Sequence, residues 1–120
     1  MPERLTYEQT LALLREVIAE KGEDFVYEPF VDEDGFSMCR YVDRGQPSCL
    51  VGHVLYRAGI SLTELVGVED TTPTSGGPWE EWGTARAIDL LSAVQEKQDG
   101  HVAWGEALAR AIADTNGEQQ

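Results

Sequence analysis

The chain has 120 residues, 42% of them hydrophobic, and its 22 acidic residues outnumber 9 basic ones for a formal net charge of −13. That length fits one domain able to bury a core without metal or disulfide staples, and the apolar content excludes wholesale disorder. No run reaches the length of a membrane span, and a field of this sign opposes the phosphates of nucleic acid, so neither membrane nor direct nucleic-acid contact is expected. "MPERLTYEQT" lacks a basic region followed by an apolar one, so no signal peptide is read and the expected location is cytoplasmic. Two cysteines do not make a disulfide framework.

The first element is a helix over "TYEQTLALLREVIAEKG". Tyr7, Leu11, Leu14 and Ile18 form one apolar stripe, Thr6 with Gln9 is a capping box, and Gly22 is the stop. Two runs rich in Phe, Val and Tyr, roughly 25–31 and 36–42, then flank the turn signal "DEDG" and predict an antiparallel β-hairpin. Pro29 cannot donate to a ladder, which puts the first strand at an edge. "DRGQP" reads as a loop. Ser48 is expected to cap a helix from Cys49 to Ala58, closed by Gly59. "SLTE" is a second capping box that opens a short helix through Val66.

"GVEDTTPTSGGP" predicts a flexible loop over about 68–78. "WEEWGTARAIDLLSAVQEKQ" is expected to be one helix, with Ile88, Leu91, Val94 and Gln95 on a common side. In the last helix, "HVAWGEALARAIADT", residues Trp104, Ala107, Leu108, Ala111 and Ile112 share a face. Residues 116–120 read as a frayed tail. The fold class is α+β: a single domain over 1–120 of four to five helices with one small antiparallel hairpin.

Charge is unevenly placed. No Lys or Arg falls between Arg57 and Arg86, where Glu64, Glu69, Asp70, Glu80 and Glu81 do. A second acidic cluster is "EKGEDFVYEPFVDED", where seven carboxylates face one lysine, and its Asp32, Glu33 and Asp34 fall on the expected hairpin turn. These carboxylates suit a basic partner surface, and the alternative is that they only solubilise the chain. Trp79 and Trp82 bracket Glu80 and Glu81. They either cap the core or give that patch an aromatic anchor for an Arg-rich partner.

"CRYVDRGQPSCLVGHVLYRAG" holds both cysteines and His53. Unpaired N–H groups and the helix dipole at Cys49 favour a thiolate, and His53 lies one turn on along the same face. Cys39 is on the preceding strand. Three readings stay open: a thiol nucleophile with its base, a metal site of Cys39, Cys49 and His53 completed by His101 or an aspartate, and ordinary packing of Cys49 among Val51, Val54 and Leu55. Gly52 would weaken that helix unless a close backbone approach demands it. No dinucleotide, phosphate-loop or nucleophile-elbow motif is present, the EF-hand spacing fails at "DEDG", and no cofactor is called for.

The block "CRYVDRGQPSCLVGHVLYRAGISLTEL" resembles small proteins of actinobacterial phages and their hosts, which carry a Cys, an aromatic–Val pair and a Pro-Ser-Cys-aliphatic-Val-Gly entry to a helix. "DGHVAWGEALARAIADT" resembles their closing helix. That family has no assigned chemistry, so it lends no residue roles. It implies a small accessory protein, acting in the host cytoplasm if phage-encoded. The expected function is non-enzymatic binding of a host or partner protein through an acidic surface, in its sharper form as a DNA mimic on a host nucleic-acid-binding protein. The alternatives are a small thiol- or metal-dependent enzyme at Cys49, His53 and Cys39, and a structural or assembly protein that forms a homodimer or larger homo-oligomer through its alanine-rich last helix.

Overall fold

The computed structural model describes residues 4–27, 30–31, 37–38, 41–43, 45–68, 71, 73–74 and 77–117. Among them are five α-helices, a 3-10 turn and two two-stranded antiparallel ladders, an α+β fold dominated by helix. None of these helices is long and apolar enough to cross a membrane.

Helix α1 runs Tyr7–Lys21. Its capping box is complete: the Thr6 hydroxyl accepts from the Gln9 N–H, and the Gln9 side chain accepts from the Thr6 N–H. Gly22 ends it. The expected hairpin is present as β1 (Phe30–Val31) paired with β2 (Ser37–Met38). Residues 25–27 form no ladder among the described residues, and the Phe25 carbonyl serves a helix end instead. Pro29 and the turn over 32–35 lie outside the described residues.

A second ladder occupies the stretch read as loop: β3 (Val42–Asp43) pairs with β4 (Gln46–Pro47). Gly45, at φ 76°, lets the chain reverse within two residues. Helix α2 (Leu50–Arg57) follows, with Cys49 rather than Ser48 at the N-cap. Gly52 explains how α2 sits: a Cβ there would stand 2.3 Å from the Tyr41 carbonyl oxygen, so only glycine permits this approach to the chain before β3. Helix α3 (Leu62–Val66) has the Ser61–Glu64 capping box as read, and hydrogen bonds from Ser61 hold the Glu64 carboxylate below its ordinary pKa.

The helix expected from Trp79 is broken. A 3-10 turn, Gly77–Glu81, is followed by a reversal at Trp82 and Gly83, and α4 starts at Ala85 under a Thr84 cap and runs to Asp99. The break has a partner. Leu5 and Gly83 form an isolated parallel bridge, with the Leu5 N–H on the Trp82 carbonyl (2.9 Å) and the Thr84 N–H on the Leu5 carbonyl (2.9 Å). A helix through 82–84 would spend those groups internally. Helix α5 (Trp104–Gly117) packs along α4. Leu14, Leu50, Leu55, Ile88, Leu91 and Trp104 form the centre of one core to which all five helices contribute.

Candidate functional site

Cys49 and His53 do share one side of α2, but they meet different surroundings. Cys49 is 0% exposed within the core. The helix end that would have polarised its thiol is already served: the Gln98 side-chain oxygen, on α4, accepts the Leu50 N–H at 2.8 Å. A sealed sulfur beside an occupied helix end is packing rather than an accessible nucleophile. Cys39 lies outside the described residues. Among the described residues no three His, Cys, Asp or Glu side chains converge as metal ligands. His101 is exposed in the α4–α5 turn, at φ 63°.

His53 is half-buried, with its ring edge-on to Trp104 at 6.1 Å. Burial lowers its pKa, Lys21 and Arg57 lower it further, and Glu20 and the Ser48 backbone oppose. The imidazole is therefore held neutral. It opens into a cleft of about 430 Å³ between the chain after α1, the β3–β4 ladder and α2.

Phe25, Val26 and Tyr27 form one wall of that cleft; Asp43 and Ser48 form the other. The Phe25 wall is a strap over the start of α5. The Trp104 N–H donates to the Phe25 carbonyl (2.8 Å) and the Gly105 N–H to the Glu23 carbonyl (2.9 Å). Gly105 has no room for a side chain, since its Cβ would fall 2.8 Å from the Glu23 Cβ. The Phe25 ring lies on Trp104 at 4.5 Å, yet Phe25 and Val26 each remain 39% exposed. The Tyr27 hydroxyl closes the inner end by a 3.1 Å hydrogen bond with the Ser48 hydroxyl. The Trp104 Nε1 is buried without a hydrogen-bond partner among the described residues.

The acidic candidates separate. Asp32, Glu33, Asp34, Glu69 and Asp70 lie outside the described residues. Glu80 and Glu81 are exposed on the 3-10 turn. Trp79 and Trp82 are not surface anchors: they are 1% and 8% exposed and pack edge to face at 5.3 Å. The Trp79 indole N–H donates to the Thr71 hydroxyl at 2.9 Å, and Tyr41 stands edge-on to its ring at 5.5 Å. The broken helix is what turns both rings inward.

Carboxylates missed by sequence reading lie along α4 and α5. Asp89, Glu96 and Asp114 line a groove of about 240 Å³ with Lys97 among them. Lys97 pairs with Glu96 at 3.2 Å and Asp114 at 2.5 Å, which raises its pKa. Arg57 pairs with Glu16 at 3.9 Å and with Glu20, and Arg110 with Glu106 at 3.3 Å. Arg86 covers the Tyr7 ring at 4.3 Å. Glu23, Asp24, Asp43, Glu80, Glu81 and Asp89 are exposed and have no ion pair among the described residues. Half-burial of Asp99 raises its carboxyl pKa, with a Gln98 hydrogen bond opposing. The i, i+7 spacing of Asp89 and Glu96 on one helix was the available signal, and it forms no run of adjacent carboxylates.

No family model, curated protein or solved structure matches the chain.

Proposed function

We propose that this is a non-enzymatic, acidic accessory protein that binds a basic surface of a partner protein, in its sharpest form by occupying a groove that normally holds nucleic acid. The observation that carries this reading is how the surface charge is spent. Arg57, Lys97 and Arg110 are committed to ion pairs, whereas the carboxylates of Glu80, Glu81 and Asp89 stand exposed on or beside helix with no such partner among the described residues. With a formal net charge of −13, the remaining field attracts cations and accelerates encounter with them. The sealed sulfur of Cys49 weighs against the thiol-enzyme alternative.

The test is affinity capture from host lysate at low and high salt, followed by binding kinetics of the captured partner. Exposed charges are screened beyond about 10 Å at 0.1 M ionic strength, so affinity should fall as salt rises, chiefly through the association rate. A variant with Glu80→Gln, Glu81→Gln and Asp89→Asn should associate more slowly while its melting temperature is kept or raised, since exposed like charges repel. Salt-independent affinity would leave the charge as a solubility device.

A further inference from the structure

Charge brings a partner close, but a stable interface also needs an apolar anchor that excludes water. Trp79 and Trp82 do not supply one, because they are core. We infer that the cleft beside the 22–27 strap is the docking point, and that it takes a basic amphipathic segment of a partner protein, with an apolar side chain seated against Phe25 and Val26 and arginine or lysine flanking it. This rests on the acidic-binding reading above and adds where the partner sits and what it presents.

Exposure comes first. Four large hydrophobic residues are well exposed among the described ones: Phe25, Val26, Tyr56 and Val66. Tyr56 and Val66 are on separate helices, whereas Phe25 and Val26 are consecutive and open on one cleft of about 430 Å³. That volume accommodates an aliphatic or aromatic side chain with part of its backbone.

Rigidity comes second. The strap cannot readily tuck these side chains away, because the Glu23 and Phe25 carbonyls are held on the first N–H groups of α5 and the Phe25 ring packs against Trp104 at 4.5 Å, tilted by 56°. An apolar pair held in place loses little entropy when it is covered.

The rim sets the kind of partner. Glu23 and Asp24 directly precede Phe25, and Asp43 forms the facing wall. None of the three has an ion pair among the described residues, and Lys21 is the one described cation lining the cleft. The lining itself holds one carboxylate, Asp43, and one ammonium, Lys21. Glu23 and Asp24 are exposed beside it on the strap, and nearby Arg57 is spent on Glu16 and Glu20, so the unpaired charge about the cleft is negative and favours cations. His53 adds a neutral imidazole, and the hydroxyls of Tyr27 and Ser48 meet at the inner end, so the partner's main chain finds hydrogen-bonding groups that carry no charge.

The test uses the full chain and two synthetic peptides of equal length and charge, one alternating Arg with Leu and one alternating Arg with Ser. The Arg–Leu peptide should bind about tenfold more tightly, and Val26→Ser should erase most of that difference while leaving the Arg–Ser affinity unchanged. Val66→Ser, at a still more exposed valine elsewhere, should change neither affinity. Amide chemical shifts on adding the Arg–Leu peptide should move in 22–27, at Asp43 and at His53. Equal affinity of the two peptides, an equal loss from Val26→Ser and Val66→Ser, or shifts confined to α4 and α5 would overturn the inference and leave the acidic reading standing. Failure of both peptides to bind at low salt would overturn both.

Discussion

Helices α2 and α5 begin in the same predicament and solve it differently. Neither has a side-chain cap of its own, unlike α1, α3 and α4, which are capped by Thr6, Ser61 and Thr84. At α2 the orphan Leu50 N–H is met by Gln98, a 0%-exposed side chain from α4. At α5 the orphans are met by main-chain carbonyls of the strap. The α2 solution seals the site, and everything from Cys49 to Gly52 is buried. The α5 solution spends only backbone, and Glu23, Asp24, Phe25 and Val26 keep exposed side chains. A helix end closed by a side chain becomes core. One closed by main chain leaves a row of side chains for other work.

The largest effect should come from the glycines that let each arrangement close. Gly52→Ala should destabilise by about 3 kcal/mol or more, because its Cβ meets a backbone carbonyl that also accepts the Ser48 N–H and cannot yield. Gly105→Ala meets the Glu23 Cβ at 2.8 Å and the Glu23 backbone at 3.1–3.2 Å, a milder overlap than the 2.3 Å contact at Gly52, and alanine's helix propensity returns up to about 1 kcal/mol, so its net cost should be smaller, about 1 kcal/mol. Denaturant midpoints of the two variants check this, and equal costs would break the contrast.

Next comes Gln98→Leu, which keeps the volume and removes the acceptor. Leaving the Leu50 N–H buried and unpaired should cost about 1–3 kcal/mol. No loss in urea unfolding would mean that the α2 end is not closed by Gln98.

The smallest effect concerns His53, which lies between the two helix starts. Its pKa is lowered in the fold, so below the ordinary value of 6.5 the unfolded chain binds the proton more readily than the native one. Stability should therefore fall as pH drops from about 6.5, by less than about 1 kcal/mol after solvent screening of a half-exposed ring. Unfolding of His53→Gln across pH 5 to 7 should lack that slope, read against the wild-type chain.

What was legible in the sequence was local. The boxes at Thr6–Gln9 and Ser61–Glu64 lie within one turn, so spacing alone reveals them. The buried face of α5 follows from its 3.6-residue period, and Gly52 could be marked as a glycine needing a reason. What was missed depends on partners far along the chain. Gln98 looks like one more polar residue near a helix end until Leu50 stands beside it. Helical spacing carries straight through Trp79–Gly83, and only the bridge to Leu5 shows why the chain turns there. Thr84 was a readable cap signal, overshadowed by the two tryptophans. The acidic site was read from runs of adjacent carboxylates, which favours loops. Carboxylates spaced by helix turns, such as Asp89 and Glu96, form no run.

The clamp between Leu5 and Gly83 also governs when the molecule can assemble during synthesis. The segment ahead of α1 finds its hydrogen-bonding partners only at Trp82 and Thr84, and α1 packs on α2, α4 and α5. The apolar stripe of α1 therefore has its full set of packing partners only once α5 has been synthesised.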